Sequence, residues 1–240
     1  MKIINAVWEK RNLGVNCNEV EIENKDTVKI LKQNLEVYET EYTVIKVPIG
    51  MIEISQYLQS AGYTFMELMI SCSNNGQLPL LTPIQKRIID SVSYKKMNNK
   101  DIEQLFVEID SGMFTDDRVS LDLKFTQDQA NNRYAGWVSD EIELGSKFFK
   151  LVYKSQTAGF FSLKANGDDC YTSSLGGLYP SFERVGFGIC LNYFTIEEGI
   201  KQNAKKIFTS FSSNNRGAFG IHFSIGYNIG KQFYVFIKHK

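Results

Sequence analysis

The chain has 240 residues, and its 27 Lys and Arg residues balance its 27 Asp and Glu residues. Apolar residues make up 43% and aromatic residues 13%, enough to build a packed core in one large domain or in one and a half small ones. The net charge of zero gives no support to a nucleic-acid partner, and no apolar run is long enough to cross a membrane. Because charged residues at positions 9–11 precede any apolar segment of signal-peptide length, we expect a cytoplasmic protein.

The cysteine and histidine pattern gives no metal site. The four cysteines are scattered without a CxxC pair, and the only histidines are His222 and His239. A zinc site needs several such ligands at suitable spacing, so we expect reduced thiols and no bound metal.

The N-terminal segment predicts a short α/β unit. Strands are predicted at residues 43–47 and 65–70, and the helix between them, at residues 52–61, ends at Gly62. Turn-forming residues from Ser73 to Pro79 then mark the clearest break in the chain. We therefore expect a smaller N-terminal α/β domain at residues 1–82 and a larger domain at residues 83–240.

The larger segment predicts a mixed central sheet flanked by helices. Its order is a strand, two helices, three strands, and then helix, strand, helix and strand. These elements are predicted at residues 87–96, 99–109, 128–143, 148–153, 159–164, 170–178, 187–203, 206–211, 215–225 and 232–238.

Two motifs in the last third of the chain fall in a distinctive order. The first runs from Leu178 to Gly188, where a strand end leads into a turn with two glycines and then into a helix. Unpaired N–H groups at the start of a helix suit a pyrophosphate, and glycines let the backbone approach it. The second motif contains Asn215, His222 and Gly226 on the next helix. Together they resemble the acetyl-CoA-binding half of the GNAT family of N-acetyltransferases.

The resemblance implies a GNAT fold over residues 83–240 and acetyl-CoA as co-substrate. It implies that backbone groups of the strand before the turn bind the pantetheine arm, and that one N–H faces the thioester oxygen. The residues expected to contact acetyl-CoA are Leu178, Tyr179, Arg184, Val185, Gly186, Phe187, Gly188 and Asn215. Glu183 departs from the family pattern, which has Arg or Gln at that position. Asn215 also suits an N-cap.

His222 occupies the position of a family tyrosine that protonates the departing thiolate. An imidazole can donate a proton near neutral pH, so His222 is the candidate general acid. The alternatives are that His222 packs in the core and that Tyr193 or Tyr227 supplies the proton.

The acceptor site is expected around residues 115–122 and 131–137. With residues 8–14, this pattern resembles the dTDP-fucosamine acetyltransferase branch of the family. The arginines would hold a diphosphate, and an aromatic ring would stack on a base or sugar. The expected substrate-binding residues are Asp117, Arg118, Arg133, Tyr134 and Trp137.

The predicted reaction is acetyl transfer to a primary amine by direct attack. The favoured acceptor is the amino group of a nucleotide-linked amino-deoxy sugar. Two alternatives stay open: acetylation of a protein or another small amine, and an acyl-CoA-binding module without turnover. A homodimer is a further expectation.

The N-terminal segment contains an echo of the second motif. Aligning Gly62 with Gly226 places Val47 opposite Phe211, so strand, helix, Gly-Tyr and strand recur at equal spacing. The echo is interpreted either as a degenerate second GNAT half or as a chance match.

Overall fold

Strands and helices alternate along the whole chain in the computed structural model, which describes residues 1–240. The strands are β1 Lys2–Asn5, β2 Cys17–Glu21, β3 Tyr42–Pro48, β4 Thr64–Asn74, β5 Ser93–Lys96, β6 Lys147–Tyr153, β7 Gln156–Ala165, β8 Cys170–Thr172, β9 Gly176–Leu178, β10 Lys206–Ser212 and β11 Asn228–His239. The helices are α1 Val7–Leu13, α2 Val28–Tyr38, α3 Ile52–Ser60, α4 Pro83–Asp90, α5 Asn99–Asp110, α6 Gln127–Glu143, α7 Gly188–Lys201 and α8 Arg216–Ser224, with a 3₁₀ helix at Pro180–Phe182.

Capping boxes explain where α4, α5 and α6 begin. Their N-caps are Thr82, Asn98 and Thr126, and each exchanges hydrogen bonds with the residue three positions later. The strand predicted at residues 87–96 is wrong in its first half, because the Thr82 cap and Pro83 at the first helical position start α4 there.

All the strands belong to one mixed sheet that crosses the predicted domain boundary. The order along the sheet is β1-β2-β3-β11-β4-β10-β8-β7-β6-β5, and β9 pairs with β7. The N-terminal strand β4 thus lies between β10 and β11, while the C-terminal strand β11 lies between β3 and β4. Each segment contributes a strand to the sheet of the other, and the boundary after residue 82 stays a prediction.

This strand exchange is symmetric. Strands β3 and β10, helices α3 and α8, and strands β4 and β11 each begin 164 positions apart, at 42 and 206, 52 and 216, and 64 and 228. The pairing repeats at the same offset, because Thr43 lies opposite Lys238 and Ile207 lies opposite Asn74. The equal spacing predicted from the sequence is therefore confirmed, and the two segments exchange strands reciprocally.

Helices cover both faces of the sheet. Helices α1, α5 and α6 pack on one face, and α2, α3, α4, α7 and α8 pack on the other. Neighbouring strand residues alternate between the faces: Val44 packs against the first group and Ile45 against the second. None of the helices combines the length and hydrophobicity that a membrane span requires.

The predicted single strand at residues 170–178 is two strands. β8 pairs with β10 only as far as Phe208, whereas β9 pairs with β7 and with no other strand. Between them Leu175 turns back to Ser162 through three hydrogen bonds of 2.8–3.1 Å. The sheet therefore splays: β9 is not paired with β10, and residues 209–212 of β10 have no strand partner on that side. This unpaired stretch between β9 and β10 is called the opening.

Candidate functional site

The β9 side of the opening presents a free backbone donor. The Tyr179 N–H donates to the Ala158 carbonyl at 3.0 Å, so it is directed at β7. Donors alternate sides along a strand, and the Leu178 N–H therefore points away from β7 and into the opening. Of the two strand-end residues singled out in the sequence, Leu178 offers the donor.

The β10 side presents backbone groups as well. The Phe208 carbonyl accepts from the Ser173 N–H at 2.9 Å, which closes the paired part of the sheet. Ser210 is the next residue of β10 whose backbone is directed to the same edge. The two strands can thus hydrogen-bond an extended ligand arm from both sides.

The turn after the 3₁₀ helix leads directly into α7. Arg184 and Gly186 both have positive φ, +61° and +87°, and Val185 between them is 54% exposed. Phe187 is the N-cap of α7 and gives no side-chain cap, so the first N–H groups of α7 have no side-chain partner. The turn at residues 183–186 is exposed, and the helix start that follows it has no side-chain cap, so this region can bind an anionic group.

Gly188 has a packing role between two helices. A Cβ atom at Gly188 would lie 2.5 Å from Cδ1 of Ile221 on α8. The glycine therefore lets α7 and α8 approach each other beside the opening. A Cβ atom at Gly186 would have only Cδ1 of Ile88 within 4 Å, at 3.7 Å, so a side chain would fit there without a clash.

Asn215 and His222 lie on α8, on the α7 side of the sheet. Asn215 is the N-cap, and its Oδ1 accepts from the Ala218 N–H at 2.9 Å. The His222 ring stacks on Phe211 at 4.7 Å between centroids and contacts the edge of Tyr227.

The tautomer of His222 follows from its hydrogen bond. Its Nδ1 lies 2.7 Å from the Ala218 carbonyl, which can only accept, so the proton sits on Nδ1. Burial lowers the pKa of His222 below its usual value, although the bond to Ala218 opposes the shift. The neutral ring then has no proton on Nε2 to donate.

The predicted acceptor residues come together, but in a buried ion network and not on an open surface. Arg133 Nε donates to Glu9 Oε1 at 2.8 Å, and Nη1 lies 3.5 Å from Asp117 Oδ2. Arg118 Nη2 donates to Glu19 Oε1 at 2.6 Å. The network consists of Glu9, Glu19, Lys46, Asp117, Arg118 and Arg133.

The aromatic members flank this network. Tyr134 stacks on Phe114 at 4.0 Å between centroids, and the Arg133 guanidinium lies 3.8 Å over the Trp137 ring. Both arginines are nearly sealed, with Arg133 only 1% exposed. A diphosphate that bound them would have to displace Glu9 and Glu19.

Sealed polar atoms without a hydrogen-bond partner in the protein concentrate around the network. They are Glu9 Oε2, Asn12 Nδ2, Tyr42 OH, Glu67 Oε2, Asp117 Oδ2, Arg118 Nε, and Nη1 and Nη2 of Arg133. Buried polar groups are normally satisfied, so this concentration marks the place in the core where a further polar group would find partners.

Three acidic members of this region, Glu9, Glu19 and Glu67, were not among the site residues predicted from the sequence. Glu19 and Glu67 both lie within strands, and both are buried. An acidic residue within the apolar run Phe65–Ile70 is the signal that could have identified Glu67, whereas β2 is itself polar and gives no such signal for Glu19.

The equivalent place in the N-terminal half is closed. β2 pairs with β3 over five positions, from Cys17 opposite Tyr42 to Glu21 opposite Lys46, and residues 22–27 lead directly to α2. No strand corresponds to β9 there. Thr27 caps α2 with its side chain, and Leu58 stands at the position equivalent to His222.

No family model and no curated protein matches this chain. Among solved structures, a GCN5-related N-acetyltransferase from Sphaerobacter thermophilus is similar with a TM-score of 0.62 at 9% identity, over 99% of this chain and 75% of that chain. A tandem GNAT protein from the clavulanic acid biosynthesis pathway has a TM-score of 0.56 at 9% identity, over 94% and 76%.

A third similar structure is larger than this chain. It is the GCN5-related glucosamine N-acetyltransferase region of a fungal multi-domain GH3 β-N-acetylglucosaminidase, with a TM-score of 0.65 at 8% identity. The match covers 99% of this chain and 31% of that one. With a mixed sheet that splays between β9 and β10 and helices on both faces, the chain has the GNAT fold.

Proposed function

We propose that this chain binds acetyl-CoA in the opening between β9 and β10 and transfers its acetyl group to a primary amine. The observation that carries the proposal is the free Leu178 N–H, which is directed into the opening beside an uncapped helix start. GNAT structures of similar fold make acetyl transfer the best-supported activity for this geometry.

The residues of the opening have separate roles in this proposal. Arg184, Val185, Gly186 and the first N–H groups of α7 hold the pyrophosphate, and Asn215 orients α8 beside the arm. The Leu178 N–H stabilises the negative charge that develops on the thioester oxygen during attack. Because both substrates are held side by side, proximity supplies much of the rate.

The general acid predicted from the sequence is His222, and that assignment stays a prediction. The neutral ring and the Nδ1 bond to Ala218 favour a packing role instead. Tyr227 is a poor replacement, because burial raises the pKa of its hydroxyl far above neutrality. The thiolate can take its proton from the attacking nitrogen.

The acceptor is a primary amine in this proposal. An amino-deoxy sugar is one candidate, and the glucosamine activity named for a similar fungal region supports that class. A nucleotide diphosphate is a weaker feature of the acceptor, because Arg118 and Arg133 are paired with glutamates. A protein amine, a cytoplasmic location and a homodimer stay predictions.

We also propose that the N-terminal half is a degenerate GNAT copy. The constant offset of 164 positions and the reciprocal strand pairing favour duplication over a chance match. In this half β2 stays paired with β3, so there is no opening for a cofactor, and Leu58 occupies the position equivalent to His222. We therefore assign it a structural role in the sheet and on the acceptor side.

Release of CoA tests the proposal directly. The full chain is incubated with acetyl-CoA and a panel of primary amines, and free thiol is measured against time. We expect amine-dependent release. Acetyl-CoA binding without release by any amine would favour an acyl-CoA-binding module, and absence of binding would overturn the proposal.

A further inference from the structure

Glu67 is a buried carboxylate without an ionic partner. It is 5% exposed, it forms no ion pair, and its Oε2 is sealed from solvent without a hydrogen bond in the protein. Burying a charge is unfavourable unless a partner compensates it, so a cationic group bound at Glu67 would be stabilised there. Nothing in the fold of β4 itself requires an acid there.

A β-bulge fixes the orientation of Glu67. Val235 of β11 pairs with Glu67 and Phe236 pairs with Phe65, so Met66 is an extra residue in β4. Bulges redirect side chains and are common beside active sites. Glu67 is two residues before Met69, which packs on the α6 side, so Glu67 faces the buried ion network.

The network reaches the opening on both of its sides. On the β9 side, a Cβ atom at Gly177 would lie 3.2 Å from Phe114, which stacks on Tyr134 next to Asp117. On the β10 side, Asn214 donates to the Met66 carbonyl at 3.2 Å, which places Glu67 beside the end of β10. A group bound at Glu67 therefore lies at the acceptor side of the opening.

The charge of this region is negative. Four carboxylates, Glu9, Glu19, Glu67 and Asp117, face three cations, Lys46, Arg118 and Arg133. Burial alone would lower the pKa of Arg118, but Glu19, Tyr42 and Glu67 together raise it, so Glu67 lies within electrostatic reach of the network. One more cation would balance the region.

We propose that Glu67 is the carboxylate that receives the ammonium group of the acceptor, and that the acceptor is a compact, phosphate-free amine cation. The proposal rests on the proposed function. The carboxylate that lacks an ionic partner is thus supplied to the acceptor side by the N-terminal half, through the exchanged strand β4. A diphosphate is disfavoured in the same pocket, because its negative charge would add to the excess.

The proton steps balance on these residues. The bound ammonium gives one proton to the Glu67 carboxylate, which frees the nitrogen lone pair. That lone pair forms the C–N bond as the thioester C–S bond breaks. The thiolate takes the second nitrogen proton, and Glu67 releases its proton to solvent.

Calorimetric titration and CoA release together test the proposal on the full chain. The probes are 1,4-diaminobutane, glucosamine and lysine amide, with a nucleotide-linked amino sugar as the anionic comparator. We expect at least one phosphate-free amine to bind without acetyl-CoA, and Glu67→Gln to weaken it about tenfold or more. The comparator should bind more weakly than that amine.

Matched variants separate binding from folding. Glu36→Gln removes an exposed carboxylate on α2 and should change neither measurement. Glu67→Asp keeps the charge and should recover part of the amine affinity, whereas acetyl-CoA affinity should be unchanged in all three variants. Thermal melting identifies any variant that fails to fold. If Glu67→Gln does not fold, the Michaelis constant of Glu67→Asp for the amine is measured instead.

Three outcomes would overturn the proposal: no amine binds, the nucleotide sugar binds best, or folded Glu67→Gln keeps full amine affinity and turnover. The failure of the proposed function is distinguishable from these. Amine binding that depends on Glu67 without any CoA release would leave the pocket standing and remove the transferase. Normal CoA release in Glu67→Gln would leave the transferase activity standing and remove Glu67 from the acceptor pocket.

Discussion

The two halves of this molecule share one plan, and only one of them is open. In the C-terminal half, the break after Thr172 lets β9 leave β10, and a turn with positive φ at Arg184 and Gly186 leads to α7. In the N-terminal half, β2 stays paired with β3, and a side-chain cap closes the start of α2. A short extra strand and an uncapped helix are therefore what distinguish a candidate site from a closed support.

The closed half still contributes to the open one. Its strand β4 lies beside β10, and its residues Glu9 and Glu19 neutralise the arginines of the acceptor side. If the N-terminal half is a degenerate copy, as proposed, the comparison indicates that such a copy can lose its opening and retain a role through exchanged strands and buried charges.

The largest effect is expected on stability, at the buried ion pair between Glu9 of the N-terminal half and Arg133 of the C-terminal half. Arg133→Ala leaves Glu9, which is 0% exposed, with only its longer 3.9 Å contact to Arg118, and should lower the free energy of unfolding by about 3–5 kcal/mol. Arg11→Ala breaks the exposed pair with Asp140 between the same two helices and should cost at most about 1 kcal/mol. Urea denaturation measures both.

Equal stability losses in these two variants would contradict the assignment of Arg133 to a structural ion pair. A stable Arg133→Ala protein with a raised Michaelis constant for a nucleotide sugar would return the arginine to acceptor binding.

A smaller effect is expected for a block at the opening. Gly186→Val should weaken acetyl-CoA binding about tenfold or more, because a side chain there meets the ligand in otherwise open space. Gly167→Val is the matched control: Gly167 is also exposed, has φ +89° and has open space around it, and both substitutions cost about 1–2 kcal/mol of backbone strain. Calorimetry should detect the loss only at position 186, and equal affinities would remove the turn from the site.

The smallest effect is expected at His222. His222→Leu copies Leu58 of the closed half and should keep turnover within about tenfold, whereas loss of a true general acid costs about 10²–10⁴-fold. A steady-state rate at saturating substrates distinguishes these results, and a loss in the larger range would restore His222 as the acid.

The same substitution should change the pH dependence of the free energy of unfolding. The lowered pKa of His222 means that the unfolded chain takes up a proton first as the pH falls below 6.5. The free energy of unfolding should therefore drop in that range, and less steeply in His222→Leu. Identical slopes would show that His222 titrates alike in both states.

Much of the fold could be predicted from local signals. The Gly-Tyr repeat predicted β3, α3 and β4 and their C-terminal counterparts, because strand alternation and helix-ending glycines act over few residues. Helix α4 was missed although Thr82, Pro83 and Gln85 form a recognisable start. The exchange of β4 and β11 could not be predicted, since any exposed strand edge could have paired with either one.

The candidate site divides in the same way. The turn around Gly186 and the cap at Asn215 follow from local backbone chemistry, and the structure has both. The pairing of Arg133 with Glu9 joins residues 124 positions apart, and Glu67 acquires its surroundings only through strand exchange. Neither partner choice nor burial of a charge is visible from spacing alone.

The stoichiometry of acetyl-CoA binding tests the central claim most directly. Calorimetric titration of the full chain should give one site per chain, because only in the C-terminal half does an opening between strands lead to a helix start without a side-chain cap. Gly186→Val should weaken that single site. Two sites per chain, or one site that Gly186→Val leaves unchanged, would contradict the account.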